Sequence, residues 1–272
     1  MNVICLFISF LFPSSSFAVE AEVLQRKVFG KYRVMVKWHE QLDCQEIVIV
    51  KSGRIVFSEC ELGHHYWIGN NFNDSVKGKD FYSGKDFTGN GIPDLLISQW
   101  TGGAHCCNIV HVFEMDKTAL RKLSSIDGGS YGFEIKDFDG DKIPEISFWD
   151  WPIDYLFNSF SHSAQAKVVL KYIGNEYHVA SSLMYKNRPA HKNLEKLKND
   201  IRKNFDREGD RVPYELLDIM MELSYSGYKE LAMRIANETW PIKRTDFKKF
   251  RREFKEALSD SIYWSEFNIG KY

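Results

Sequence analysis

Asp86, Thr88, Asn90 and Asp94 stand at positions 1, 3, 5 and 9 of the segment D-F-T-G-N-G-I-P-D. A second segment, D-F-D-G-D-K-I-P-E, sets Asp137, Asp139, Asp141 and Glu145 at the same offsets. Both segments have Phe at position 2, Gly at 4, Ile at 7 and Pro at 8, and both run into an apolar stretch. Side-chain oxygens at alternate positions of a tight loop can converge on one centre. Hard divalent cations such as calcium take six to eight oxygens at about 2.3–2.6 Å. Each loop would add a backbone oxygen at position 7, from Ile92 and Ile143. The spacing is not that of an EF-hand, which needs a glutamate at its twelfth position and a helix after the loop. Ile97 and Phe148 stand at that position here.

The loops are unequal. The first has Gly91 at position 6, where a sharp turn favours positive φ, but only two carboxylates. The second has four carboxylates, with Lys142 in the glycine's place. A lysine there carries a left-handed conformational cost and brings a positive charge towards the site. The other reading of both segments is a plain Asp/Gly/Asn turn between strands. Two copies in register favour the metal reading.

The two segments resemble the calcium loops of FG-GAP and VCBS repeats, blade-type β-repeats found in integrin α-chain propellers and many secreted bacterial proteins. Thr101-Gly102-Gly103-Ala104-His105-Cys106-Cys107 resembles a segment of uncharacterised secreted bacterial proteins that carry such loops. The resemblance covers roughly residues 80–185 and departs from the pattern at Thr88 and Lys142. It implies a β-repeat fold and calcium, and no catalytic activity.

Cysteine usage points to an oxidising compartment. Cys44, Cys60, Cys106 and Cys107 follow the N-terminal apolar segment, and an even number in an exported chain suggests disulfides. Glu46–Val50 and Arg54–Ser58 read as a hairpin around a three-residue loop, Lys51-Ser52-Gly53, with Gly53 left-handed. That register pairs Val50 with Arg54 and Ile47 with Phe57, and sets Cys44 directly opposite Cys60. Cys106 and Cys107 are then left to each other. The rival for that pair is a metal or catalytic site with His105 and His111, but no C-x-x-C or H-x-x-x-H spacing accompanies it. His64 and His65 read as packed or surface residues.

The elements that must position these residues fall into two groups. Residues 1–18 read as a secretory signal: an apolar run Ile4–Phe12, too short to span a bilayer, then small residues Ser16 and Ala18 before a cut at Val19. Residues 19–185 read as the β domain. Each loop is followed by about three strands: Leu95–Ser98, Ile109–Phe113 and Leu120–Ile126, then Ile146–Trp149, Lys167–Tyr172 and Tyr177–Ser182. The 44–60 hairpin reads as an earlier, more diverged unit. Three blade-like units are too few for a closed propeller, so an open or sandwich-like body is expected. Residues 189–272 read as a helical C-terminal region. Its apolar stripes are Leu194/Leu197/Ile201, Leu216/Leu217/Met220/Leu223, Leu231/Ala232/Ile235 and Phe247/Phe250/Phe254/Leu258, with Thr245 capping the last helix.

The formal charge is nearly balanced, at −1, so no nucleic-acid affinity follows, and no later stretch suits stable membrane insertion. The expectation is a periplasmic or secreted, calcium-stabilised module with a protein or glycan partner. The alternative is an exported hydrolase with its site near His105 and Trp149–Trp151, although no G-x-S-x-G, H-E-x-x-H or phosphate loop occurs.

Overall fold

A computed structural model describes residues 21–69, 80, 82–104, 107–208 and 211–269. The proposed signal segment 1–18, His105 and Cys106 lie outside them. Twelve strands form three four-stranded antiparallel sheets among the described residues, each a meander in chain order and none closed. The first contains β1 (Glu22–Phe29), β2 (Tyr32–His39), β3 (Cys44–Lys51) and β4 (Arg54–Leu62). The second contains β5 (His65–Ile68), β6 (Asp94–Trp100), β7 (Asn108–Met115) and β8 (Leu120–Asp127). The third contains β9 (Glu134–Lys136), β10 (Glu145–Asp150), β11 (Ala166–Ile173) and β12 (Glu176–Val179).

Side-chain alternation explains how the sheets stack, since successive residues of a strand point to opposite faces. Leu95, Ile97, Phe113 and Met115 turn one face of the middle sheet onto Tyr32, Val34, Val36, Ile47 and Ile49 of the first. Leu96, Val110, Val112 and Ile126 turn its other face onto Ile146, Phe148 and Val168 of the third. The middle sheet is covered on both sides. That is why β6, read as D-L-L-I-S-Q-W, is buried at nearly every position. β4, at the edge of the first sheet, has no residue buried.

The helical region adds α1 (Ser181–Met184), α2 (His191–Glu208), α3 (Tyr214–Tyr225), α4 (Lys229–Thr239), α5 (Phe247–Asp260) and α6 (Ile262–Ile269). The expected apolar stripes are the buried or half-buried faces of α2 to α5. They join the third sheet in one continuous core. Asp150 of β10 anchors this junction: it accepts hydrogen bonds from Tyr225 of α3 and, at 2.5 Å, from Ser261 between α5 and α6. Burial holds its carboxyl above the usual aspartate value, offset by those two bonds. Two details differ from expectation. Asp246, not Thr245, stands at the N-cap of α5, and its carboxylate is taken by Arg244. α6 was not expected, and it buries Trp264 and Phe267. No helix among the described residues is long and apolar enough to cross a membrane.

The first hairpin corrects the expected register. Ser52 and Gly53 both have positive φ, +48° and +84°, so the turn has two residues and Lys51 pairs with Arg54. A bulge follows, and Ile49 faces Phe57. Each change slips the pairing by one residue, so Cys44 faces Leu62 and Cys60 faces Glu46. A slip of two restores the original face. Cys44 and Cys60 are therefore diagonal neighbours, with Cα atoms 5.9 Å apart, and the expected disulfide is present. Cys107 is also disulfide-bonded.

The Cys44–Cys60 bond spans a sequence separation of 16. Loop-closure entropy for that size predicts that the double substitution Cys44→Ser/Cys60→Ser costs about 3 kcal/mol of unfolding free energy. Urea titration of wild type and variant checks this.

Candidate metal centre

The two acidic loops occupy the same place in their sheets, each joining the first strand to the second. Their backbones also agree. Position 6 is left-handed in both, with φ +86° at Gly91 and +75° at Lys142. In both, the first aspartate braces the loop. Asp86 accepts from the amides of Asn90 at 3.0 Å and Gly91 at 2.8 Å. Asp137 accepts from Gly140 at 2.6 Å and Lys142 at 3.0 Å. The fifth residue accepts from position 7: Asn90 from Ile92 at 2.9 Å, and Asp141 from Ile143 at 2.8 Å. The loops touch, since a Cβ built on Gly89 would lie 2.3 Å from Ile143 Cδ1.

The ninth residues, Asp94 and Glu145, open β6 and β10 and are fully buried, each 0% exposed. One oxygen of each holds its loop. Asp94 Oδ2 accepts from the Phe87 and Thr88 amides, both at 2.8 Å, and from the Thr88 hydroxyl at 3.0 Å. Glu145 Oε2 accepts from the Phe138 amide at 2.8 Å. The second oxygen of Asp94, Oδ1, accepts no hydrogen bond among the described residues, whereas that of Glu145, Oε1, has the Lys171 ammonium at 3.2 Å as its partner. Burial pushes the Asp94 carboxyl up to about 6, against the pull of its bonds to Thr88 and Phe87.

Beyond this shared frame the loops diverge. In the second, Asp137, Asp139 and Glu145 each offer an oxygen, all within 4.8 Å of one another. Among the described residues the first loop makes no such group. Its Thr88 is buried against Asp94, and its Asn90 amide donates to Glu114 at 2.6 Å. The charge facing the ninth residue also differs in sign from loop to loop, and the neighbouring strand supplies it. Across β6, Asp94 faces Glu114, which is paired with Arg121 at 3.0 Å. On β11, one step beyond the Ile146–Leu170 pair, Lys171 reaches into the second loop. Its ammonium pairs with Asp139, lies 2.6 Å from Asp141 and 3.2 Å from Glu145 Oε1. Burial works against that charge, but the bonds to the three carboxylates outweigh it and hold the lysine above its ordinary value. Lys171 and Glu114 were not singled out in the sequence. Only the strand register, Asp94 opposite Glu114 and Ile146 opposite Leu170, brings them to the loops.

The donor set of the second loop suits a calcium-type ion better than that of the first. Its donors are hard carboxylate oxygens, and one of them, Glu145 Oε1, is buried beside the Lys171 ammonium. Asp137, Asp139, Asp141 and Glu145 are the residues that would hold the ion, with the Ile143 carbonyl in reach of the same turn by sequence position.

Of the histidines and tryptophans considered for a catalytic or metal site, His105 lies outside the described residues. His111 is buried: Gln99 Oε1 lies 2.7 Å from its Nε2 and Ser125 Oγ 2.8 Å from its Nδ1. Burial pushes it down to about 3, so it is neutral at physiological pH. Gln99 also reaches His64 at 2.7 Å. Trp149 is 44% exposed, beside a cavity of about 380 Å³ also lined by Lys167, Lys186, Asp218 and Glu222. Phe148 turns inward and packs on Tyr263 with ring centroids 4.8 Å apart. Trp151 lies against Gly129.

No family model matches the chain, and no solved structure matches it. A stretch of 80 residues is 36% identical to a probable thylakoid lumen protein of Synechocystis. It covers 28% of this chain and 23% of the relative, so the chain spans less than a quarter of that protein's length.

The left-handed Lys142 and a buried carboxyl beyond the far end of β10 each give an expected outcome. Lys142→Gly relieves a left-handed lysine, for a net gain of up to ~1 kcal/mol in metal-free unfolding free energy, read by urea titration in EDTA. Asp154 has both carboxylate oxygens buried without a hydrogen bond, and burial pushes it up to about 6. A carboxyl raised in the folded state favours folding while protonated, and that advantage is lost as the pH rises through the interval up to about 6. The stability of Asp154→Asn relative to wild type should therefore increase between pH 4 and pH 6.5. Paired urea titrations at the two pH values give the answer.

Proposed function

We propose that this is an exported β-repeat protein in which calcium ties an acidic loop to its strand, acting as a binding or structural module rather than an enzyme. The observation that carries the reading is the convergence of Asp137, Asp139 and Glu145 within 4.8 Å of one another, with Glu145 fully buried. One lysine charge, from Lys171, stands against the carboxylates there, and negative charge withdrawn from water without full compensation is costly. A divalent ion bound by four carboxylates converts their mutual repulsion into attraction.

Export is supported by the Cys44–Cys60 bond, which belongs to oxidising compartments. The lumenal relative and the signal-like first 18 residues agree with it. The three four-stranded meanders, two of them carrying an acidic loop at the same point, support blade-like repeats in an open stack. The partner would be a protein or glycan, with the two touching loops presented together on one part of the body.

Calcium at about a hundred times its dissociation constant should stabilise the folded protein by about 2.7 kcal/mol. EDTA should reverse the gain. Asp139→Ala should remove most of it and Thr88→Ala little. Thermal melts of oxidised protein with and without calcium, together with calorimetric titration, test this. An oxidised, folded sample whose melting temperature ignores calcium would sink the proposal.

A further inference from the structure

The acidic loop already holds a cation. Lys171 comes from a different strand, and its ammonium lies where oxygens of Asp139, Asp141 and Glu145 meet. Its side chain is only 21% exposed. The buried Glu145 Oε1 pairs with that ammonium at 3.2 Å. The corresponding position across the first loop carries Glu114, so the lysine is not a general feature of these strands.

One ammonium cannot satisfy four carboxylates. It offers three donors and a single charge, against Asp137, Asp139, Asp141 and Glu145. A divalent ion offers twice the charge and takes six or more oxygens. The two cations cannot share so small a space, because like charges at contact repel strongly in a partly buried setting. A lysine head on its flexible four-carbon stem can swing out to water while the stem stays on the sheet.

We propose that Lys171 is the resident cation of the second loop, and that a divalent ion binds there only by expelling its ammonium. The proposal rests on the calcium reading of this loop and adds its regulation. The lysine keeps the metal-free loop folded and weakens calcium binding, so that the site fills only where calcium is plentiful. Exchange of one cation for the other leaves Lys171 free and exposed beside the loop.

The test uses the full oxidised chain with calcium chloride as the only added ligand. Lys171→Met keeps the length of the stem and removes the charge. Calorimetry should show calcium affinity raised at least tenfold, and the melting temperature in EDTA should fall. Calcium binding by the variant alone, with wild type silent, would be the limiting case of the same competition. Wild type that binds calcium while the variant binds no tighter would overturn the displacement and leave the calcium reading standing. Failure of both proteins to bind would overturn both. Should Lys171→Met not fold, wild type still decides: labelling with an amine-reactive reagent, read by peptide mass spectrometry, should rise several-fold at Lys171 on adding calcium and stay constant at Lys167. Unchanged or slower labelling of Lys171 would overturn the proposal.

Discussion

Two buried carboxylates, Asp94 and Glu145, govern how the acidic loops are built and what they can hold. Each starts a central strand, each is withdrawn from water, and each uses one oxygen to capture backbone amides of the loop before it. That bond ties loop to sheet, so the loop's shape depends on a residue already committed to the core. It also leaves a second oxygen inside the protein, without a hydrogen bond at Asp94 and met by the Lys171 ammonium at Glu145. An unsatisfied buried acceptor is expensive, more so when charged. The surroundings of these two oxygens therefore decide the character of each loop.

The answers differ because the neighbouring strands differ. Asp94 sits across from another carboxylate, Glu114, whose own charge is met by Arg121. Desolvation then favours the protonated form of Asp94, and its carboxyl is raised accordingly. Glu145 sits beside Lys171, and three carboxylates collect around that ammonium. Two loops of nearly identical backbone thus meet opposite charges from the neighbouring strand, a carboxylate at Asp94 and an ammonium at Glu145. The loop richer in charge is the one with a built-in counter-cation, which runs against a ranking by carboxylate count alone.

The stacking of three meanders gives these loops a rigid base. The middle sheet is buried on both faces, and the third sheet carries the helical region as a continuation of its core. Asp150 shows how closely the parts are joined, since a single β10 carboxylate receives hydroxyls from two separate points of the helical region. Loop, strand, sheet and helices form a connected path from Glu145 at one end of β10 to Asp150 at the other.

Much of this was legible in the order of residues. Period-two alternation marked the strands, and period-3.6 stripes marked α2 to α5, because burial repeats with the geometry of each element. The left-handed turn at Lys142 could be read by analogy with Gly91, since backbone conformation in a tight loop is a local property. The disulfide partners were also readable, although their register was not: the two-residue turn and the bulge each slip it by one, and the slips cancel in face. What the sequence could not reveal is the pairing of residues distant in the chain. Lys171 stands 26 positions from Glu145 and Glu114 stands 20 from Asp94, so neither belongs to its loop by any local pattern. α6 lacks a clean apolar stripe and becomes a helix where Trp264 and Phe267 find a core to fill. Local geometry is written in neighbouring residues, whereas the charge that a buried carboxylate meets is set by which strands the folded chain brings side by side.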